Sequence, residues 1–89
     1  MQVGYIIAIF GKVQGVGFRY SAKKEALRLG INGFVKNIYD GSVYMEVEGE
    51  QQNVDIFINW CYNGNAQARI ENVELQKCPP SGYYDFEIR

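Results

Sequence analysis

The sequence predicts an α+β domain in which an open sheet carries two helices on one face. Three observations lead there. Apolar and polar residues alternate in several short runs, apolar residues recur at helical spacing in two others, and the runs follow the order strand, helix, hairpin, helix, strand, strand. A chain of 89 residues is one domain, residues 1–89, and two helices laid over one sheet bury a core with so short a chain.

The first strand is Tyr5 to Phe10, YIIAIF, apolar on both alternating faces as a central strand should be. Gly11, Gly15 and Gly17 then interrupt any regular pattern. The segment RYSAKKEALRLG reads as a helix closed by Gly30, with Phe18, Ala22, Ala26 and Leu29 on one stripe and Lys23, Lys24 and Arg28 on the wetter side. Next, INGFVKNI, the turn Tyr39-Asp40-Gly41 and SVYMEVEGE make a hairpin that turns Val43, Met45 and Val47 inward and Tyr44, Glu46 and Glu48 toward water. Val54, Phe57, Ile58 and Cys61, at i, i+3, i+4 and i+7, mark a second amphipathic helix ending near Gly64. ENVELQKC follows as a strand with Val73 and Leu75 inward. Pro79, Pro80 and Gly82 break it, and YYDFEIR returns as a short terminal strand through Phe86 and Ile88. Because a strand–helix–strand crossover returns the helix across the sheet, the glycine-rich loop falls at the junction of the first strand and the first helix.

Charge is segregated along the chain. Residues 1 to 39 hold six basic side chains against Glu25 alone, a net +5; residues 40 to 89 hold three basic against nine acidic, a net −6. An anion is drawn to one end of such a molecule, whereas a long nucleic acid is repelled by the acidic half. A small phosphorylated molecule is the better partner. No run reaches the roughly 18 apolar residues that span a bilayer, and the first residues lack a basic, cleavable leader pattern, so a soluble, cytoplasmic protein without a membrane partner is expected. Cys61 and Cys78, with no histidine in the chain, do not make a tetrahedral metal cage; they are read as independent thiols or as one internal disulfide.

The informative loop is Lys12-Val13-Gln14-Gly15-Val16-Gly17-Phe18-Arg19. Alternate glycines leave successive backbone N–H groups uncovered and tolerate the conformations in which such donors converge. The helix that follows adds its own unpaired amides and the positive end of its dipole. Arg19 contributes a planar fork that bridges two phosphate oxygens. An anion cradle formed by Gly15, Val16, Gly17, Phe18 and Arg19 stands beside a blander reading, a structural bend with a surface arginine. Gln14 is a secondary candidate: its amide can donate to a ligand or hold its own backbone. Asn37, near the end of the second strand, is neutral and can position a water beside an anion that an Asp would repel, or it can cap the hairpin or bond Asp40.

Other constellations carry less. Glu46 and Glu48 read as a solvated strand face rather than an acid–base pair or Mg site, and the scattered aromatics as packing rather than a nucleotide platform. Cys61 lies on an apolar helix stripe and Cys78 before two prolines, neither in a phosphate-binding loop.

Taken together, GKVQGVGFR at 11 to 19 and GFVKNIYDGSV at 33 to 43 closely resemble acylphosphatase. The likeness continues through residues 45 to 49, the helix with Trp60, Ala68-Arg69-Ile70 and the DFEIR ending, and so covers nearly the whole chain. The segment Asn63-Gly64-Asn65-Ala66 departs from it in lacking a proline often seen there. The resemblance implies a ferredoxin-like sandwich with a βαββαβ core, its antiparallel sheet covered by two helices on one face. It also implies hydrolysis of the carboxyl–phosphate bond of small acyl phosphates to carboxylate and inorganic phosphate, with no metal and no cofactor. In that reading Arg19 and the loop amides bind the phosphate, Asn37 orients the attacking water, and the protein is a monomer. The alternative is a noncatalytic phosphate or carbamoyl-phosphate binding module of the same fold. The chemistry asks little of the protein, because the leaving carboxylate has a pKa of about 4 and departs without a strong general acid.

Overall fold

A computed structural model describes residues Met1 to Arg89. Seven elements follow one another: β1 (Gln2–Lys12), α1 (Phe18–Leu29), β2 (Asn32–Asn37), β3 (Val43–Glu50), α2 (Gln51–Cys61), β4 (Arg69–Cys78) and β5 (Phe86–Ile88). The strands form one sheet in the order β4-β1-β3-β2-β5. β1 pairs antiparallel with both β3 and β4, β3 pairs antiparallel with β2, and β5 lies parallel to β2 at the far edge. This is the ferredoxin-like βαββαβ arrangement with one added edge strand.

Both helices cover the face to which Val3, Ile7 and Ile9 of β1, Val35 of β2 and Val43, Met45 and Val47 of β3 point; all are buried. From above, α1 contributes Phe18, Ala22, Ala26 and Leu29, and α2 contributes Val54, Phe57 and Cys61. α1 closes at Gly30, whose left-handed backbone (φ +68°) returns its N–H to the last turn. β1 is central, but its other apolar face, with Ile6, Ala8 and Phe10, has no helix above it and stays partly exposed.

Two expectations need correction, one on each face of the sheet. Leu75 is 41% exposed rather than inward, because β4 is the outer strand and the helices do not extend over it; Val73 still packs against the core. Glu46 and Glu48 do not form a solvated face. Glu48 is buried, and its carboxylate accepts the backbone N–H groups of Ser81, Gly82 and Tyr83 at 2.6, 2.9 and 2.9 Å. Glu46 accepts the hydroxyls of Tyr44 and Tyr83, each at 2.7 Å. These carboxylates fasten the strap that carries the chain from β4 at one edge to β5 at the other, which Asn32 also holds by donating to the Tyr83 carbonyl at 3.1 Å. No helix is long and apolar enough to cross a membrane.

Candidate active site

The bend after β1 begins with a register shift between Phe10 and Gly11, where a side chain at Gly11 would run into the Arg69 carbonyl of β4. Val13, which is buried, then pins the loop to the core, and Phe18 pins its other end against Trp60 with ring centroids 5.4 Å apart. Between these anchors Gly15 and Gly17 adopt left-handed backbone, φ +74° and +75°, a conformation costly to residues with a Cβ. Gly17 is the N-cap of α1, so the loop runs straight into the helix N-terminus.

Two side chains from elsewhere brace this bend. Gln14 Nε2 donates to the carbonyls of Ile38 and Ser42, at 2.7 and 2.8 Å, tying the loop to the β2–β3 turn. Of the two roles the sequence left open for Gln14, the structure shows the structural one for its amide N–H groups. From the α2–β4 connection, Asn65 Nδ2 donates to the Val16 carbonyl at 2.9 Å and the Ser21 hydroxyl at 3.0 Å, while its Oδ1 accepts from the Ala68 N–H. The stretch that departs from the expected pattern by lacking a proline is thus fastened to the loop through its own asparagine.

With its carbonyls and flanks so engaged, the loop leaves its donors free. The N–H groups of Gly15, Val16, Gly17, Phe18 and Arg19 donate to no carbonyl or side chain of the protein. Gly15, Gly17, Phe18 and Arg19 line a cavity of about 180 Å³ together with Asn37. Val13, Tyr20 and Ile88 complete its wall. The structure therefore brings Arg19 and Asn37 to one cavity, from α1 and the end of β2, and no acidic side chain lines it. Val16 contributes its backbone to the loop without lining that wall.

Arg19 is half-buried, and its Nη1 donates to the backbone carbonyl of Arg89 at 3.1 Å. That carbonyl is delivered by β5, which is held to β2 by Gly33 N–H to Asp85 O at 2.7 Å and Arg89 N–H to Val35 O at 2.8 Å. Asn37 is exposed and makes no bond to Asp40. The Asp40 carboxylate is instead taken by the Ser42 N–H and hydroxyl, which hold it below the usual carboxylate range, the hydroxyl having the larger effect. The Asn37 amide is available to a ligand or water. Tyr20, Ile88, Asn65 and the Arg89 carbonyl were not among the sequence candidates; only the terminal strand pattern of DFEIR pointed toward two of them.

No set of three or more His, Cys, Asp or Glu side chains lies close enough to hold a metal ion. Cys61 and Cys78 are free thiols, the first pushed far up in pKa by burial, the second raised by burial and then by the nearby Glu46 and Glu48 carboxylates. Neither favours the thiolate that a cysteine nucleophile needs.

A ferredoxin-like domain with an uncommitted amide loop, a helix N-terminus and an arginine at one end is a small anion-binding α+β domain built for a phosphoryl group. Residues 5–88 match the family model described as Acylphosphatase. Over 84 residues the chain is 46% identical to an acylphosphatase of Anaeromyxobacter dehalogenans, covering 93% of this chain and 90% of that protein. It superposes on the structure of an acylphosphatase from Coxiella burnetii with a TM-score of 0.95 at 35% identity, covering 99% of this chain and 93% of the other. It does so equally on the acylphosphatase of Bacillus subtilis, with a TM-score of 0.95 at 32% identity and 98% of each chain covered. The chain belongs to the acylphosphatase family.

Proposed function

We propose that this protein hydrolyses small acyl phosphates to a carboxylate and inorganic phosphate by attack of water on phosphorus. One observation carries the reading: the N–H groups of Gly15 through Arg19 lack any internal acceptor, and Gly15, Gly17, Phe18 and Arg19 border a cavity lined by no acidic side chain. Fixed donors of this kind stabilise charge on the equatorial oxygens of a transferring phosphoryl group, and they need no rearrangement at the moment of reaction. The Arg89 carbonyl restrains the guanidinium in advance, so less side-chain freedom is lost when phosphate arrives. Asn37, on the same cavity, holds the water by its neutral amide without opposing the dianion.

The water adds to phosphorus as the bond from phosphorus to the acyl oxygen breaks, and the acyl oxygen leaves with that electron pair as a carboxylate. The cavity wall offers no histidine and no acidic side chain, so the proton of the water passes to a phosphoryl oxygen of the substrate itself. This route needs no metal, because the leaving group is already a weak base.

The test is hydrolysis of acetyl phosphate and benzoyl phosphate in the presence of EDTA, followed by the same reaction in ¹⁸O-water. Turnover in EDTA with the label in inorganic phosphate is the expected result. Binding of inorganic phosphate without turnover, dependence on added metal, or label in the carboxylate product would each overturn the proposal.

A further inference from the structure

An acyl phosphate has two parts, and the loop cavity accounts for one. A second cavity of about 350 Å³ opens beside it, between the outer side of α1 and β5, and is lined by Tyr20, Lys23, Lys24, Leu27 and Ile88. The two cavities share Tyr20 and Ile88 in their walls, so they adjoin. Tyr20, Leu27 and Ile88 are 72%, 61% and 40% exposed, an unusual investment of large apolar side chains in a wet surface. Their placement follows from helical spacing: Lys23 and Lys24 come one turn after Tyr20 and Leu27 one turn later, about 10 Å along the axis from Tyr20. Neither lysine is engaged in an ion pair; the acidic neighbour Glu25 is taken by Arg28. The groove thus joins apolar contact to uncompensated positive charge and starts where the phosphate cavity ends.

Resting on the reading of that cavity as an acyl phosphate site, we infer that this groove is the acyl subsite, and that it selects acyl phosphates with an extended apolar chain ending in a carboxylate. The phosphoryl head lies on the loop amides and Arg19, the chain runs over Tyr20 and Ile88 toward Leu27, and the terminal carboxylate meets Lys23 and Lys24. Burial of several methylenes dominates the preference, since an exposed ion pair adds only a few-fold.

Steady-state kinetics with acetyl phosphate, hexanoyl phosphate and adipoyl monophosphate test this, because the three share one phosphoryl group and differ in what leaves the cavity. The expected kcat/KM ratio of hexanoyl to acetyl phosphate is about tenfold, carried mainly by KM. The adipoyl compound should gain about threefold more, an advantage that shrinks as salt is added. Leu27→Ser should lower the hexanoyl to acetyl ratio several-fold. Lys23→Gln with Lys24→Gln should abolish the adipoyl to hexanoyl advantage and leave the hexanoyl to acetyl ratio in place. Both changes fall on the outer side of α1, and unaltered thermal unfolding verifies that the variants are folded. A wild-type enzyme that prefers acetyl phosphate, or ratios identical in variants and wild type, would overturn the groove assignment while the hydrolytic function stood. Failure to hydrolyse any of the three would instead overturn the proposed function, and the subsite with it.

Discussion

Two stretches of this chain present consecutive backbone amides, and they meet opposite fates. At the strap between β4 and β5, the N–H groups of Ser81, Gly82 and Tyr83 all donate to one internal carboxylate, that of Glu48. At the bend between β1 and α1, the N–H groups of Gly15 through Arg19 donate to nothing in the protein. The donors are chemically alike; the difference is whether the fold supplies its own anion. Where it does, the amides lock a connection in place. Where it supplies none beside Arg19, they stay free, and in the proposed function it is an external dianion that they take.

That contrast can be broken at several points. The largest expected effect is Arg19→Ala, which removes the only charged group of the cavity and should cost about a thousandfold in kcat/KM together with affinity for inorganic phosphate. Calorimetric titration with phosphate, run beside the acetyl phosphate assay, measures both. Asn37→Ala comes next, with a loss of about a hundredfold confined to kcat and phosphate binding retained. A parallel loss of affinity would show that Asn37 binds phosphate rather than water.

On the strap, Glu48→Ala strips three amides of their acceptor and should lower stability by about 2 kcal/mol in urea unfolding. Because the strap leads to β5 and its Arg89 carbonyl, this variant should also weaken phosphate binding, though far less than Arg19→Ala. Gln14→Ala removes one of the two donors to each of the Ile38 and Ser42 carbonyls, which keep the Gly41 and Ile38 N–H groups, and should cost about 1 kcal/mol, with a modest fall in turnover as the loop loses its tie to the turn beside Asn37.

The smallest effect concerns pH. The hydroxyls of Tyr44 and then Tyr83 hold Glu46 below the usual carboxylate range, so its folded pKa lies under its unfolded value of about 4.3. The stability this confers is complete above the unfolded value and disappears as pH falls through the lowered folded one. The gap in urea midpoint between wild type and Glu46→Gln, about 1 kcal/mol at neutral pH, should therefore close below about pH 4. Tyr44 behaves in the opposite sense. Its bond to Glu46, with burial, pushes it up to about 12, so its contribution is complete below the unfolded value near 10 and is lost as pH rises from there through 12.

Local pattern made much of this molecule legible. The stripe Phe18, Ala22, Ala26 and Leu29 read from helical spacing is the buried side of α1, and Val43, Met45 and Val47 are the buried hydrophobic residues of β3. Arg19 and Asn37 share a cavity because each sits at the end of an element whose limits the sequence marks by glycine or turn residues. What pattern could not show are the braces. Gln14 reaches residues 24 and 28 positions away, Asn65 reaches back 49, and Glu48 forward 33 to 35. Such partners are set by how the elements stack, not by periodicity within any of them. The same blindness explains Leu75, whose alternation is that of an inward residue but whose strand lies outside the reach of the helices.

The most direct test follows the amides themselves. In ¹⁵N-resolved NMR spectra recorded during titration with inorganic phosphate, the resonances of Gly15, Val16, Gly17, Phe18 and Arg19 should move together along one saturable curve, while those of Ser81, Gly82 and Tyr83 stay still. Phosphate-dependent shifts that bypass residues 15 to 19, or that centre on the strap, would contradict the assignment of the bend as the phosphate-binding site.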